Sequence, residues 1–438
     1  MNRITRYLEI VPIWMLLVLP LVAVTVIFLT PRKQRLSFAI IFAIVWLTFG
    51  KMMDLPLLQA LSKATTIVAH IAVALAAHFH PGPRRRLAPI CWLYVAMAIV
   101  SPIYIITTID RDVTLLLRLN WFLLALAALL VVRTITDDAS LRYIIKAITI
   151  GAALATFFVF TALIQDPAAA IRHGKGRLGA YGSSSNHIGP LFCLTAPLCL
   201  YAAMKTKNMI IKWGSIGLAT VAIGLAVLTA SRSVVFIIAI PLLPMLIALT
   251  KRPIFTVLAV GIVLLSLGWF LSEEIGSDVN VGRLGSLESG RYELWGAYIQ
   301  NLFERSSFSI LFGLLLSHGQ YANLDPDLTW YPHNSFLLMM HTGGFSYTVP
   351  MMFLVVYSAG CAIYTWINRK MLSNDPLLIS TLAAFLAAIY AHAMVVEMIY
   401  GHGNPWALFH LILASLFMTV AGDLRNIINR QALTSSSP

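Results

Sequence analysis

Arginine and histidine are the residue types in this chain that could act on a phosphate-bearing substrate, and three of them lie beside long apolar segments. Arg232 lies in the corner LTASRS, Arg291 follows a Ser-Gly pair, and His333 stands just before an apolar run resumes. A guanidinium offers a planar fork that suits phosphate oxygens, and an imidazole can accept a proton near neutral pH. The pattern indicates an anionic, lipid-linked ligand, for which a diphosphate is the natural candidate, together with a candidate general base.

Further polar residues at the ends of apolar segments are candidates for substrate binding, because polar and charged groups are costly beside lipid and are often functional there. Arginines in such places can instead extend to lipid headgroups or pair with an acid such as Glu397, and His333 can simply cap the helix that follows it. Both interpretations stay open for each residue. The substrate-binding candidates are Arg118, Arg177, Asn186 and Asn334.

A metal site is not expected. Asp325 and Asp327 have the spacing of a metal-binding acid pair, but Asn-Leu-Asp-Pro-Asp is strong turn chemistry, and the turn is favoured. The 4 cysteines lie inside apolar runs, where a thiol behaves as a small apolar group, and no disulfide or zinc spacing is present. We predict neither a metal nor a cofactor.

Composition indicates the environment in which these residues work. The chain has 438 residues, of which 59% are hydrophobic and 11% charged, and its mean hydropathy is +0.82. Soluble domains carry about a quarter charged residues, so a soluble globular protein is excluded. The net charge of +13 comes from basic residues scattered in short connections, which is typical of cytoplasmic loops of membrane proteins and not of a nucleic-acid interface.

The apolar segments predict an all-α, polytopic membrane protein. A span needs roughly 20 apolar residues, and by that measure thirteen segments qualify. Because Arg3 and Arg6 favour an N-terminus on the inner side, we expect that the segment 36–50 or the first segment does not span fully, which leaves about twelve transmembrane helices with both chain ends inside. The first apolar run has no small-residue cleavage site after it, so we expect a retained span. The run 336–367 is too long for one span and predicts a short entry helix followed by a span.

One polar interval interrupts the apolar runs, from Ser272 to His333. If this loop is extracytoplasmic, more than half of the 31 basic residues fall in connections on the inner side, as the positive-inside tendency favours. Within it, Trp295, Tyr298, Ile299 and Leu302 predict a helix with one apolar face. The predicted organisation is N-terminal spans over 1–271, the loop over 272–333, and C-terminal spans with a cytoplasmic tail over 334–438.

The order of the motifs resembles a known family. An Arg- and Gly-rich connection ending in Asn, the TxSR corner from Thr229 to Arg232, SGRxxxW from Ser289, and HNxxL from His333 followed by two glycines occur in that order. This order resembles the O-antigen ligase and O-antigen polymerase superfamily, with the motifs covering about 177–345. One departure is Ser233, where many members have Gly; only a packing change is expected from it.

The resemblance implies a metal-independent, inverting glycosyltransferase of the GT-C kind. Such enzymes take a glycan from undecaprenyl diphosphate at the outer face of the bacterial inner membrane and join it to lipid A core, another lipid-linked glycan, or a protein. It also implies that Arg232 and Arg291 hold the donor diphosphate and that His333 orients or deprotonates the acceptor hydroxyl, with Arg177 a further donor-binding residue.

Two alternatives remain. The motifs do not separate a ligase from a polymerase of the same superfamily. A secondary transporter or lipid flippase, with Arg118, His392 and Glu397 as a substrate or proton path, is the alternative from a different class; such proteins tend to place these groups at mid-membrane within repeated halves. No internal repeat is found in this chain.

Overall fold

The structure is a computed structural model that describes residues 11–100, 111–172, 177–183, 185–229, 231–250, 291–313, 334–394 and 405–435. In these ranges the regular elements are helices and no β-strand occurs, which confirms the predicted all-α class. The α-helices are, in chain order, α1 (Ile13–Leu29), α2 (Arg35–Phe49), α3 (Pro56–Ala64), α4 (Thr66–His78), α5 (Leu93–Val100), α6 (Arg111–Thr134), α7 (Asp138–Gln165), α8 (Pro167–Arg172), α9 (Ser185–Lys205), α10 (Met209–Leu228), α11 (Arg232–Thr250), α12 (Arg291–Phe303), α13 (Ser307–Phe312), α14 (Ser335–Ile367), α15 (Arg369–Leu372), α16 (Pro376–Ala393) and α17 (Pro405–Ser435).

Several of these helices can cross a membrane. Within the described part of the chain, 6 helices are long and apolar enough, or 7 if the pair α3 and α4, which is bent by 53°, counts as one span. The 6 helices are α7, α9, α10, α14, α16 and α17. The chain is therefore a multi-pass membrane protein by the length and composition of its helices.

Large apolar side chains on these helices remain exposed on the protein surface. Phe157 on α7, Val349 and Val356 on α14, and Trp213 on α10 are each more than half exposed. Exposing such faces to water costs free energy, whereas exposing them to lipid tails does not. This surface therefore agrees with a membrane environment.

The helices group into two compact units. The first comprises Met1–Pro81, Leu141–Ser289 and Gly403–Trp406, and it holds α1 to α4, nearly all of α7, and α8 to α11. In it α9 packs against both α10 and α11. The hydroxyls of Thr156 on α7 and Thr195 on α9 lie 2.7 Å apart, a short polar contact between two buried helix faces.

The second unit comprises Gly82–Ser140, Gly290–His402 and Ala407–Pro438, with α5, α6, α12 to α16 and nearly all of α17. Here α17 is largely buried, and its Phe409 ring stands edge-on to Phe385 of α16, with the ring centroids 5.4 Å apart. Arg85 is paired with Asp423 of α17, with Nε 3.1 Å from Oδ2. The boundaries of these units differ from the sequence-order division at 271 and 333, which stays a prediction.

The long run at 336–367 contains a break, as the sequence predicted. α14 extends from Ser335 to Ile367, but Gly344 has φ 63° and ψ −171°, which is not helical. A side chain is strained at positive φ, so glycine permits this break at low cost. The first nine residues thus form a short entry helix before the longer apolar part.

The amphipathic helix of the polar interval is also present. α12 begins at Arg291, and Tyr298 and Leu302 are buried, as expected. Ile299, however, is 43% exposed, and Leu294 and Ala297 pack around Tyr298 in its place. The buried side of α12 is therefore rotated toward Leu294, because Tyr298 packs against α14.

Some predictions fall on residues that the structure leaves undescribed. They are residues 272–290 and 314–333 of the polar interval, the Asp325 and Asp327 pair within it, and Glu397.

Candidate functional site

The corner between α10 and α11 carries the first predicted arginine. α10 ends at Leu228 and α11 begins at Arg232. Thr229 is fully buried and its hydroxyl donates to the Ala226 carbonyl over 2.6 Å, while the Ser231 carbonyl accepts from the Val235 N–H and so begins α11. Arg232 is thus the first residue of α11, and hydrogen bonds fix Thr229 and Ser231 to the helices on either side of the corner.

Arg177 rests directly on this corner. Its Nε donates to the Thr229 carbonyl over 2.9 Å, and the next residue, Leu178, donates its backbone N–H to the Leu228 carbonyl over 2.8 Å. The Gly-rich connection and the TxSR corner, which are about fifty residues apart in sequence, are therefore adjacent. Arg177 contacts the residue three positions before Arg232, so the structure brings these two predicted site segments together.

The starts of α9 and α11 also lie side by side. A Cβ added to Gly189 would overlap Cγ2 of the Val234 side chain, so the two helices approach closely here. The Cys193 thiol donates to the Val234 carbonyl over 3.2 Å. Asn186 and Arg232 open these two helices, one turn or less before the contact. Helix starts carry unpaired N–H groups and a partial positive charge, so two adjacent starts favour an anion.

Asp54, an acidic residue that none of the sequence motifs includes, contacts the segment 177–183 that begins with Arg177. The backbone N–H of Asp54, in the connection between α2 and α3, donates to the Tyr181 carbonyl over 3.0 Å. The Tyr181 hydroxyl lies 3.0 Å from that of Thr161 and donates to Gln165. A lone Asp in KMMDLP, between two apolar runs, was the available signal in the sequence.

In the second unit, Asn334 begins α14. Its side-chain oxygen accepts from the N–H groups of Phe336 and Leu337 over 2.9 and 3.1 Å, and the residue is 5% exposed. The residue that caps this helix is therefore Asn334, and the capping role considered for His333 is already filled. The oxygen of Asn334 is engaged in that cap, so substrate contact by this side chain would have to use its NH₂ group.

Arg118 lies on α6, also in the second unit. It is 3% exposed, and its guanidinium carbon is 5.6 Å from the centroid of the Tyr347 ring on α14. A buried cation over an aromatic face gains more than an exposed one, because water no longer competes. This contact connects Arg118 to the helix that Asn334 begins.

The remaining predicted residues are placed only in part. The side chains of Asn186, Arg232 and Arg291 lie outside what the structure describes, and so does the whole of His333. Arg291 is the first residue of α12. The first unit holds the segments of Arg177, Asn186 and Arg232, and the second holds those of Arg118, Arg291 and Asn334.

The second unit holds a further functional candidate that none of the sequence motifs includes. His341 is fully buried on α14, seven residues after Asn334, which places both on the same face of the helix. That spacing was the available signal. Among the described residues, no cluster of His, Cys, Asp and Glu could hold a metal ion.

No protein-family model matches this chain, and no curated protein matches it either. The resemblance to the O-antigen ligase and polymerase superfamily therefore rests on the motifs and their order.

Proposed function

We propose that this protein is a membrane glycosyltransferase of the O-antigen ligase kind. It moves a glycan from undecaprenyl diphosphate to lipid A core or a similar acceptor at the periplasmic face of the bacterial inner membrane. The observation that carries the proposal is the contact of Arg177 with Thr229, at 2.9 Å, in the corner that precedes Arg232. Two arginine-bearing motifs that are distant in sequence meet beside two helix starts, an arrangement that favours binding of an anionic donor.

The proposed reaction needs few groups. The acceptor oxygen attacks the anomeric carbon from the face opposite the diphosphate, the new glycosidic bond forms as the bond to the diphosphate breaks, and the configuration inverts. Undecaprenyl diphosphate leaves with the electron pair, and the acceptor proton passes to His333. Arg232 and Arg291 stabilise the charge that develops on the diphosphate, with Arg177, Arg118, Asn186 and Asn334 completing the donor and acceptor sites.

The topology belongs to the same proposal. About twelve spans, with the polar interval 272–333 in the periplasm, place His333 and Arg291 on the side where lipid-linked glycans are joined. A diphosphate is already a good leaving group, so neither an acidic side chain nor a metal ion is required of the protein.

A polymerase of the same superfamily would use the same site with a different acceptor. The specific observation that favours the transporter alternative is the 53° bend between α3 and α4, because broken helices are common in transporters. Both alternatives are separated from the ligase by what becomes of the glycan.

The test is an incubation of purified protein with a lipid-linked oligosaccharide and candidate acceptors. Glycan appearing on lipid A core supports the ligase, growth of the chain on the lipid carrier supports the polymerase, and transfer to no acceptor contradicts both. Reconstituted vesicles in which the lipid-linked glycan changes leaflet without transfer would support the flippase.

Glycan transfer should continue in EDTA, because the proposed charge stabilisation comes from arginines. A loss of activity that Mg²⁺ or Mn²⁺ restores would move the catalytic role toward Asp325 and Asp327.

A further inference from the structure

His341 in α14 engages both of its ring nitrogens inside the second unit. Its Nδ1 lies 2.7 Å from Nη2 of Arg305, and its Nε2 lies 2.8 Å from the carbonyl oxygen of Tyr298. A guanidinium can only donate and a carbonyl can only accept, so the imidazole is neutral, with its proton on Nε2. One buried side chain therefore connects α14 to two points of the segment that starts with α12.

Arg305, in the connection between α12 and α13, is oriented for this contact by Asn301 of α12. Its Nε and Nη2 donate to the Asn301 side-chain oxygen over 3.2 and 2.8 Å, which leaves the guanidinium facing His341. The rigid planar guanidinium makes these contacts from one fixed orientation, whereas an ammonium at the end of a flexible stem has no such fixed geometry. The pairing therefore favours arginine.

Apolar packing surrounds these hydrogen bonds. Tyr298 is fully buried, and its ring stands edge-on to the imidazole, with the ring centroids 4.7 Å apart. Leu294 and Ala297 pack against the same tyrosine. A buried polar network of this kind holds one arrangement firmly, because any other arrangement leaves polar groups unpaired.

A second contact fixes the same segment at the next residues of α14. A Cβ added to Gly313 would lie 2.6 Å from the backbone nitrogens of Gly343 and Gly344, so the end of α13 rests on the backbone of α14 at its break. Gly313 has φ 75° and Gly344 has φ 63°, and glycine is suited to both. Residues 291–313 are therefore attached to residues 341–344 through a side-chain network and through a backbone contact.

Both ends of this attachment are close to proposed catalytic residues. Arg291 precedes Tyr298 by seven residues on α12, and Asn334, which follows His333 in the sequence, precedes His341 by seven residues. At about 1.5 Å per residue, each distance is roughly two helical turns. A displacement of about 1 Å at a reacting centre can cost on the order of 10²-fold in rate. Loosening this attachment can therefore lower the rate of catalysis.

We infer that His341 is a positioning residue. Through Tyr298 and Arg305 it holds the helix that carries Arg291 at a fixed place relative to the start of α14, which directly follows His333. The inference rests on the proposed function, in which Arg291 binds the donor and His333 serves the acceptor. It assigns the buried histidine a role in aligning donor with acceptor, without contact with either.

The kinetic test uses full-length protein in detergent or nanodiscs with a lipid-linked oligosaccharide and its acceptor. His341→Ala should lower kcat by about 10- to 100-fold, with the KM for donor within a few-fold of wild type. Arg305→Lys retains the His341 imidazole but removes the planar guanidinium that contacts it, and should also lower kcat. The matched control is Gln300→Ala on α12, which removes an exposed hydrogen bond to Glu304 and should leave kcat unchanged.

Coupling to Arg291 separates positioning from a general loss of fold. In an Arg291→Ala background, His341→Ala should lower kcat by less than about threefold, because the group being positioned is already absent. An equal loss in both backgrounds would mean that His341 only supports the fold, and the inference would be wrong.

A distance measurement tests the attachment even if no transfer is found. Spin labels on cysteines placed at Gln300 and Val349, both exposed and in the second unit, should give a narrow distance distribution in the otherwise wild-type protein. His341→Ala and Arg305→Lys should broaden it. An unchanged distribution in both variants would overturn the inference, whereas broadening without any glycan transfer would support the attachment and contradict the proposed function.

Discussion

A guanidinium and an ammonium carry the same charge but recognise oxygens differently. The guanidinium presents parallel N–H groups that match two phosphate oxygens, and the ammonium acts as a point charge. Arg177 illustrates the directional use of this group, since its Nε is committed to the Thr229 carbonyl. Whether a site needs the fork or only the charge can therefore be tested by exchanging arginine for lysine.

For Arg232 we expect the fork to matter. Arg232→Lys should lower turnover nearly as far as Arg232→Ala, by about 10²- to 10³-fold, since both lose the paired hydrogen bonds to the diphosphate. Turnover of lipid-linked donor is the measurement. The control is Arg142→Lys, at an exposed arginine on α7, which should be neutral. Near-normal activity of Arg232→Lys would mean that the corner supplies only positive potential.

For His333 we expect a loss of turnover without a loss of donor binding. His333→Ala should lower kcat by about 10²- to 10⁴-fold, the range for a positioned acid–base group, while donor affinity stays within a few-fold because the arginines hold the diphosphate. Wild-type turnover should fall as the imidazole becomes protonated at acidic pH. His78→Ala, at an exposed histidine, serves as the control.

The His333→Gln variant separates two roles of this residue. An amide can orient a hydroxyl but cannot take its proton. High activity of His333→Gln would reduce His333 to a positioning role, and loss of donor binding in His333→Ala would assign it to the diphosphate site.

At the scale of helices, the close approach of α9 to α11 is possible because residue 189 is a glycine, which has no side chain. Gly189 lets the start of α9 reach Val234, which is fully buried on α11. Close approach of two helices at a small residue is a common device in membrane proteins. It places the segments of Asn186 and Arg232 next to each other.

We predict that Gly189→Ala destabilises the first unit and lowers activity. Overpacking costs about 1–3 kcal/mol, which outweighs the helix-propensity gain of about 1 kcal/mol. Thermal unfolding in detergent and donor turnover are the two measurements. The double variant Gly189→Ala with Val234→Ala should recover part of both, because the smaller residue makes room for the new methyl group.

Two glycines of α10 provide the control for this experiment. A Cβ at Gly217 or Gly224 would meet no atom within 4 Å, so alanine there should be neutral or slightly stabilising. If Gly189→Ala behaved like these controls, the contact between α9 and α11 would not be tight enough to position the two segments.

At the scale of the whole molecule, the proposed topology predicts which residues reagents can reach. Gln300→Cys, exposed on α12, should react with a membrane-impermeant maleimide in intact spheroplasts, because the proposal places it in the periplasm. Lys207→Cys, exposed between α9 and α10, should react only after permeabilisation. The native cysteines Cys91, Cys193, Cys199 and Cys361 are buried, so their background labelling should be low. If Lys207→Cys reacted in intact spheroplasts and Gln300→Cys reacted only after permeabilisation, the topology would be the opposite of the proposed one, which would contradict a periplasmic site.

Hydropathy by itself predicted the all-α class of this protein and the presence of several membrane-spanning helices. Long apolar runs have one open solution in lipid, because helices alone pair their backbone groups within a single segment. The break in α14 could be predicted for the same reason, since the run at 336–367 exceeds the bilayer thickness. The helix α12 could be predicted from the spacing of Trp295, Tyr298, Ile299 and Leu302, which is a local property of the chain.

Only the tertiary structure decided which polar residues meet. The contact of Arg177 with Thr229 and the network of His341 with Arg305 connect segments 52 and 36 residues apart. Spacing along the chain does not determine such pairs, because they depend on how helices pack against one another. The rotation of the apolar face of α12 toward Leu294 has the same origin: periodicity predicts a face, but the neighbouring helix determines which side of it is buried.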